Sequence, residues 1–350
     1  MSRDMPFSFR GQDAGRRRPV RLGITFGIAL AVVGAVVLAG EPARAAADGR
    51  LVLYTSQPDK ISAETVAAFA REQPGVTVEV FRSGTTEIVN KLQAEIVAGD
   101  PRPDLLFIAD AVSMEQLKAD GRLLADPEAD VSTLPEGTYD PDKTYFGTKL
   151  ITTGIMYNKA APMKPASWKD LVSAAAKGQV VLPSPLYSGA AAIHMGTIAE
   201  TPGLGADYYA ELARNGAQAV KGNGAVVTAV AGGQKMYGVI VEFMALNARD
   251  KGSPVDFVFP QEGVSAVTEP VAILKTAKNP VAAKAFVAFL LSKQGQELSV
   301  KQGFLPARTD VAPPPGFPKP GDLKIMPTDL KEVLRQDEGR KQQFADLFGG

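Results

Sequence analysis

From Leu51 onward the sequence alternates between a strand period and a helix period, and that alternation restricts the chain to an α/β architecture. Leu51 to Tyr54 is a short apolar run. Ile61, Thr65, Val66, Phe69 and Ala70 then fall on one side of a helical stretch, which Pro74-Gly75 ends. Val76, Val78 and Val80 alternate with Thr77 and Glu79, the pattern of a half-buried strand. Ile88, Leu92 and Ile96 recur every four residues, with Val89 and Val97 beside them, and predict an amphipathic helix closed by Gly99-Asp100-Pro101. Leu105 to Ala109 is continuously apolar, as in the buried middle of a parallel sheet. Strand, helix, strand, helix, strand describes one α/β lobe with right-handed crossovers.

The middle of the chain, residues 145 to 254, repeats this flavour with more glycine. Strands are predicted at Gly154 to Tyr157, Gln179 to Leu182 and Gly238 to Phe243. Helices are predicted at Trp168 to Ala176, Gly189 to Ala199, Asp207 to Arg214 and Ala225 to Ala231. After Phe257-Val258-Phe259 a strong helix returns. Asn279 caps it, Pro280 sits in its first turn, and Ala282, Ala285, Phe286, Phe289 and Leu290 form its buried stripe. A Pro-rich stretch, Ala312 to Pro320, leads to a polar C-terminal helix.

The first 45 residues read as a secretory signal peptide. Arg16, Arg17, Arg18 and Arg21 precede an apolar run from Leu22 to Gly40, and Ala43-Arg44-Ala45 supplies a small-x-small cleavage pattern before Ala46. The run approaches the length of a membrane span, so an uncleaved anchor is the alternative. The arginine run hints at twin-arginine export but lacks the usual residues after the pair. The exported part, about 300 residues, exceeds one comfortable core, so two lobes are expected. Removing residues 1–45 takes away seven Arg and three acidic residues and leaves a net charge of about −4. That balance argues against nucleic acid as a partner. The chain has no cysteine, which excludes a lipid-anchored thiol, disulfides, thiol catalysis and Cys-based zinc sites.

Several motifs, taken in order, resemble the type II periplasmic binding proteins, in the branch that holds ferric-ion, thiamine, spermidine and 2-aminoethylphosphonate receptors. Leu51-Val52-Leu53-Tyr54-Thr55-Ser56 looks like the first strand and ligand loop. Pro103-Asp104-Leu105-Leu106-Phe107 looks like the family's "P-D-hydrophobic" strand. Pro165 to Leu171, Lys177-Gly178 and Pro185-Leu186-Tyr187-Ser188-Gly189-Ala190 resemble its most specific run. Lys278-Asn279-Pro280, Phe289-Leu290-Leu291-Ser292 and Gly303 to Arg308 resemble its closing helix and loop. The resemblance implies a two-lobed α/β fold with the ligand cleft between the lobes. Residues 46–148 and 255–350 would form one lobe, residues 149–254 an inserted second one, with hinge closure over the ligand. It implies a monomeric periplasmic receptor that delivers a small ligand to the membrane permease of an ABC importer, without a cofactor.

Three stretches combine an N-cap residue with glycine ahead of a predicted helix, and helix N-termini attract anions. They are Ser188-Gly189-Ala190, Asn223-Gly224 and Ser83-Gly84-Thr85-Thr86. Each is also what an ordinary cap looks like. The resemblance implies an anion at the first two, and three converging N-termini would bind one without Arg or Lys. Ser56, Gln57 and Tyr187 would add hydrogen bonds. By the same alignment Glu242 and Asp110 lie near the cleft, where a carboxylate would suit a zwitterion such as 2-aminoethylphosphonate, or else form a structural salt bridge. The expected ligand is therefore a small organic anion, a phosphonate or a phosphate ester.

A ferric receptor is the rival reading. In iron-binding relatives the ligands are an adjacent Tyr pair, a His and an acidic residue, and the aligned positions here carry Phe243-Met244, Pro58 and Ala109. Aromatic and thioether groups do not hold a hard cation. Tyr208-Tyr209 is a poor substitute, since neighbours on a helix point about 100° apart. An enzyme on the same fold is the third reading. The chain has one histidine, His194, and no G-x-S-x-G elbow or P-loop, which leaves little for acid–base work.

Overall fold

Residues with strand periodicity do form two sheets, each sandwiched by helices. The computed structural model describes residues 47–315, 317–318 and 323–349. The expected signal peptide, residues 1–45, therefore lies outside the described residues. The chain begins β1 (Gly49–Thr55), α1 (Asp59–Glu72), β2 (Val76–Arg82), α2 (Thr85–Val97), β3 (Leu105–Phe107), α3 (Ala111–Ala119), β4 (Leu123–Leu124) and β5 (Tyr145–Gly147). It continues as β6 (Lys149–Asn158), β7 (Val180–Pro183), α4 (Gly189–Glu200), α5 (Tyr208–Arg214) and β8 (Gln218–Val220). Then come α6 (Asn223–Ala231), β9 (Tyr237–Val241), α7 (Glu242–Asp250), β10 (Val255–Val258) and β11 (Ser265–Val267). It closes with β12 (Pro270–Leu274), α8 (Pro280–Leu291), α9 (Lys293–Lys301), β13 (Leu305–Pro306) and α10 (Leu330–Phe348).

The first sheet has the order β2-β1-β3-β12-β4, with β5 also paired to β12. Its inner strands β1, β3 and β12 are apolar on both faces, with successive side chains going to opposite sides. Leu51, Leu53, Leu105, Phe107, Val271 and Ile273 pack with Phe69 of α1 and Phe286 of α8. Tyr54, Leu106, Ile108, Ala272 and Leu274 pack with Ile88 and Leu92 of α2 and with Met114 and Leu117 of α3. The Pro-Asp motif gains a physical reason here. The buried Asp104 carboxylate accepts from Val52 N at 2.7 Å, Lys278 N at 2.6 Å and Asn279 N at 3.1 Å, tying β1 to the start of α8. Asn279 caps α8 through Ala282 N, as its sequence predicts.

The second sheet has the order β10-β6-β9-β7-β8, with β11 and β13 also on β6. The long strand β6 is covered along one edge by β10, β11 and β13 in succession. Sheet membership thus departs from the expected division at residue 254, because the returning chain pairs along β6 before it crosses back. C-terminal helix α10 packs on α4 and α5 and also on α3 of the first lobe, with Arg340 bonded to Glu200 at 3.1 Å. Two other expectations change. Trp168 to Ala176 is two short 3-10 turns, Trp168–Val172 and Ala174–Ala176, with Trp168 buried and its Nε1 donating to Gly263 O at 2.9 Å. The strand predicted to reach Phe243 stops at Val241, and α7 starts at Glu242.

The chain passes between the sheets three times, at β5 to β6, at β11 to β12 and again after α9 to reach β13, and the first two crossings are adjacent. They bond to each other: Thr148 N donates to Thr268 O at 3.0 Å, and Thr148 Oγ1 to Glu269 O at 2.9 Å. Buried Gln296 Nε2 donates to Thr148 O at 2.6 Å, so α9 braces the first crossing.

Asp104→Ala strands three backbone donors. Hydrogen bonds to a charged group are worth about 1.5–3 kcal/mol each, so urea denaturation is expected to show a loss of about 3 kcal/mol or more. A loss below about 1 kcal/mol would contradict the role given to this carboxylate.

Candidate functional site

Five helices begin at one cavity of about 380 Å³ between the sheets, with Val241, Phe243 and Met244 at the start of α7 in its wall. Its wall takes Pro58 and Asp59 from α1, Gly84 and Thr85 from α2, Ser188 and Ala190 from α4. Gly222, Asn223 and Gly224 come from the start of α6. The first-turn N–H groups of a helix have no intrahelical acceptor and carry the positive end of its dipole. Ser188 caps α4, accepting from Ala191 N at 3.3 Å. Gly222, not Asn223, is the cap residue of α6. Asn223 instead links three elements. Its Nδ2 donates to Ser188 Oγ at 3.4 Å, and its Oδ1 accepts from Val241 N at 3.2 Å.

Two cations also line the cavity, contrary to the expectation that helix ends alone would suffice. Arg82 Nε donates to Gln57 O at 2.9 Å, and its Nη1 to the Tyr187 hydroxyl at 3.0 Å. Lys221 pairs with Glu87 at 3.2 Å and lies 4.6 Å from the Tyr187 ring centre. Neither cation belongs to a motif; Arg82 ends a strand and Lys221 sits in a loop. Only the pairing of β2 with β1 and the closure of the lobes bring them here.

The other expected residues divide. Ser56 and Tyr187 line the cavity, with Ser56 Oγ accepting from Ala109 N at 3.0 Å. Gln57 is buried behind the wall and donates to Glu269 Oε2 at 3.3 Å. Ser83, just ahead of α2, donates to Glu87 in that helix's first turn. Thr86 reaches across the cleft instead, donating from Oγ1 to Pro185 O at 3.2 Å. Gly189 lets the opposite lobe approach rather than a ligand: a Cβ there would meet Ala109 O and Thr85 Cγ2 at 2.7 Å. Gly84 does the same, since its Cβ would meet the Tyr187 ring at 2.3 Å. The two glycines permit lobe closure.

Neither carboxylate expected to read an amine lines the cavity. Asp110 caps α3, accepting from Val112 N at 2.9 Å and Ser113 N at 3.1 Å. Glu242 is fully buried at the first turn of α7, its Oε2 accepting from Thr152 N at 2.6 Å. Burial pushes its carboxyl up to about 8, and hydrogen bonds only partly offset that. The acidic groups in the wall are Asp59, which is exposed, and Glu269. Glu269 was not singled out by its sequence, because its position depends on the second crossing.

Pro58, Ala109, Phe243 and Met244, the positions expected from the resemblance to correspond to iron ligands, line the cavity, and their side chains present no hard donor. Tyr208 and Tyr209 are buried in the core beyond the second sheet, with Tyr208 OH donating to Trp168 O at 2.7 Å. His194 is buried beside Trp168, bonded to Ser265 Oγ at 2.9 Å, and burial lowers it to about 3. These three residues therefore belong to packing.

The chain matches the family model for bacterial extracellular solute-binding proteins over residues 64–325 and belongs to that family. It is 29% identical over 326 residues to an uncharacterized protein of Haemophilus influenzae, covering 87% of this chain and 92% of the relative. It is 25% identical over 279 residues to an Fe(3+)-binding periplasmic protein of Serratia marcescens, covering 76% and 81%. Among solved structures it superposes on the periplasmic binding protein AfuA from Actinobacillus pleuropneumoniae, with exogenous fructose-6-phosphate bound. The TM-score is 0.78 at 24% identity, over 86% of this chain and 98% of that one. Iron-bound HitA from Pseudomonas aeruginosa gives 0.72 at 19%, over 84% and 99%. The fold is that of the two-lobed type II periplasmic binding proteins of ABC importers.

Two predictions follow from this geometry. Gly84→Val drives a side chain into Tyr187, so small-angle scattering should show a larger radius of gyration than the parent under the same conditions. An unchanged radius would mean that the lobes close by another route. For Glu242, the folded protein holds the proton more tightly than the unfolded chain. Its contribution is present below about pH 4.5 and lost as pH rises through about 8. Denaturation at pH 5, 6.5 and 8 should show that loss in the parent and a flatter profile in Glu242→Gln.

Proposed function

We propose that this chain is the periplasmic substrate-binding component of an ABC importer and that its ligand is a small organic anion, a phosphate ester or a phosphonate. The supporting observation is the convergence of helix N-termini from both lobes, with Arg82 and Lys221, on one cavity. Oriented N–H groups and a guanidinium favour a group with several anionic oxygens. The volume suits one small molecule. Four to five hydrogen bonds at about 1.5–3 kcal/mol each more than meet the roughly 8 kcal/mol of micromolar binding, leaving room for the cost of ordering. An amine on the ligand, where present, has Asp59 in the wall for a partner, not Glu242 or Asp110.

The ferric reading is favoured by the name of the Serratia marcescens relative. The apolar side chains at the positions expected to correspond to iron ligands speak against it. Turnover is not part of the proposal, because the only histidine is buried in packing and no nucleophile stands beside a base in the wall. The receptor acts as a monomer, closes over its ligand and docks to a membrane permease.

Thermal melting with fructose 6-phosphate, 2-aminoethylphosphonate and inorganic phosphate tests this. A ligand at a hundred times its Kd adds about 2.7 kcal/mol to stability, so at least one should raise the melting temperature by several degrees. Arg82→Ala should weaken that ligand by roughly 10- to 100-fold, the loss of one charge-assisted bond. A phenolate-to-iron charge-transfer band on ferric addition, with no response to any phosphorus compound, would replace this reading by the ferric one.

A further inference from the structure

The two adjacent crossings carry opposite charges into the interior. Lys149 opens β6 and Glu269 precedes β12; Lys149 Nζ lies 3.0 Å from Glu269 Oε2, and the side chains are 2% and 4% exposed. Gln57 Nε2 donates to the same oxygen at 3.3 Å. The Lys149 ammonium also lies 4.0 Å from the ring centre of Phe304 and 5.1 Å from that of Phe107. Such a pair is a poor stabiliser compared with apolar residues of similar volume, since desolvation of both ions offsets their attraction. Its backbone is costly as well. Glu269 has φ of 39° and is one of two non-glycine residues with positive φ among the described residues. The following Pro270 narrows the conformations open to it still further. Strained backbone that persists at a ligand clamp is held there by its surroundings.

What this arrangement achieves is placement. Glu269 lies in the cavity wall, and Lys149 does not. Oε2 takes both partners, and Oε1 has no bonded donor among the described residues. Nearby wall positions Ile151, Val241, Phe243 and Met244 offer no side-chain acceptor comparable to a carboxylate. We infer that Glu269 is a specificity-determining residue that accepts hydrogen bonds from hydroxyl groups on the carbon skeleton of the anionic ligand. Lys149 and Gln57 are its positioning residues. The inference rests on the proposed capture of an organic anion.

Charge balance selects hydroxyl over ammonium. Lys149 neutralises Glu269, so the pair presents an acceptor without net charge. A ligand ammonium there would place a second cation against Lys149 in a poorly solvated site, where like charges repel strongly. A hydroxyl donates and adds no charge.

Calorimetry with fructose 6-phosphate, 2-aminoethylphosphonate and inorganic phosphate decides the matter. The parent is expected to bind fructose 6-phosphate at least tenfold more tightly than either of the others. In Glu269→Gln the single amide oxygen is taken by Lys149 and Gln57, and the preference should fall below threefold. Because that variant leaves Lys149 buried without its partner, Lys149→Met/Glu269→Leu, which removes both charges and the acceptor, is measured beside it, each checked by thermal melting. A folded variant that keeps the tenfold preference overturns the assignment, as does a parent that prefers 2-aminoethylphosphonate or treats all three alike. A parent that binds none of the three overturns the anion reading itself, and the assignment with it.

Discussion

The bond between the two adjacent crossings is the contact on which the rest of the molecule depends. Each lobe has its own sheet and its own cores, and two of the three covalent paths between the sheets run through a few residues around Thr148 and Thr268. The bonds from Thr148 to Thr268 O and Glu269 O, with Gln296 behind them, make the crossings one paired ribbon. A paired ribbon bends in fewer ways than two separate strands. Closure can then be reproducible enough to bring Arg82 to Tyr187 and Thr86 to Pro185 across the cleft.

Closure in turn makes the electrostatics. A helix N-terminus is a weak anion site alone, because its effect falls off within about one turn and water screens it. Ends of α2 and α4 approach closely only because Gly84 and Gly189 lack the side chains that would hold them apart. The partial charges therefore add at one place, in a cavity from which closure removes water. Glycine at these positions serves the distance between lobes more than contact with a ligand, a distinction that spacing cannot express.

Much of the fold was legible in the sequence because its physics is local. The continuous apolar runs of β1 and β3 report two covered faces, and Asn279-Pro280 reports a helix start. The misreadings have equally physical causes. Val241-Glu242-Phe243 continues the apolar–polar alternation of a strand, so the strand looks longer than it is, while Glu242 in fact opens a helix. Ser188, Asn223, Ser56, Thr85 and Tyr187 were found at the cavity because caps and turns have local signatures. Arg82, Lys221 and Glu269 were missed because their place depends on strand pairing, lobe closure and the second crossing. Asp110 and Glu242 were misplaced for a related reason: alignment brings a residue near a cleft, but burial and a cap decide where its carboxylate points.

The wall residues also explain how one fold serves ligands of opposite charge. A hard cation needs anionic oxygens aimed inward, and the positions expected from the resemblance to correspond to such groups lie in this wall as Pro58, Ala109, Phe243 and Met244. Replacing phenolates by apolar groups removes the negative field but leaves the helix N-termini, whose dipoles come from the backbone and cannot be mutated away. The balance of the cavity then passes to its positive elements, Arg82, Lys221 and the first turns of α2, α4 and α6. Against that field an uncompensated buried carboxylate would be out of place, and the two that avoid it do so differently. Glu242 is withdrawn from the wall, with burial raising its proton affinity. Glu269 stays in the wall with Lys149 against it.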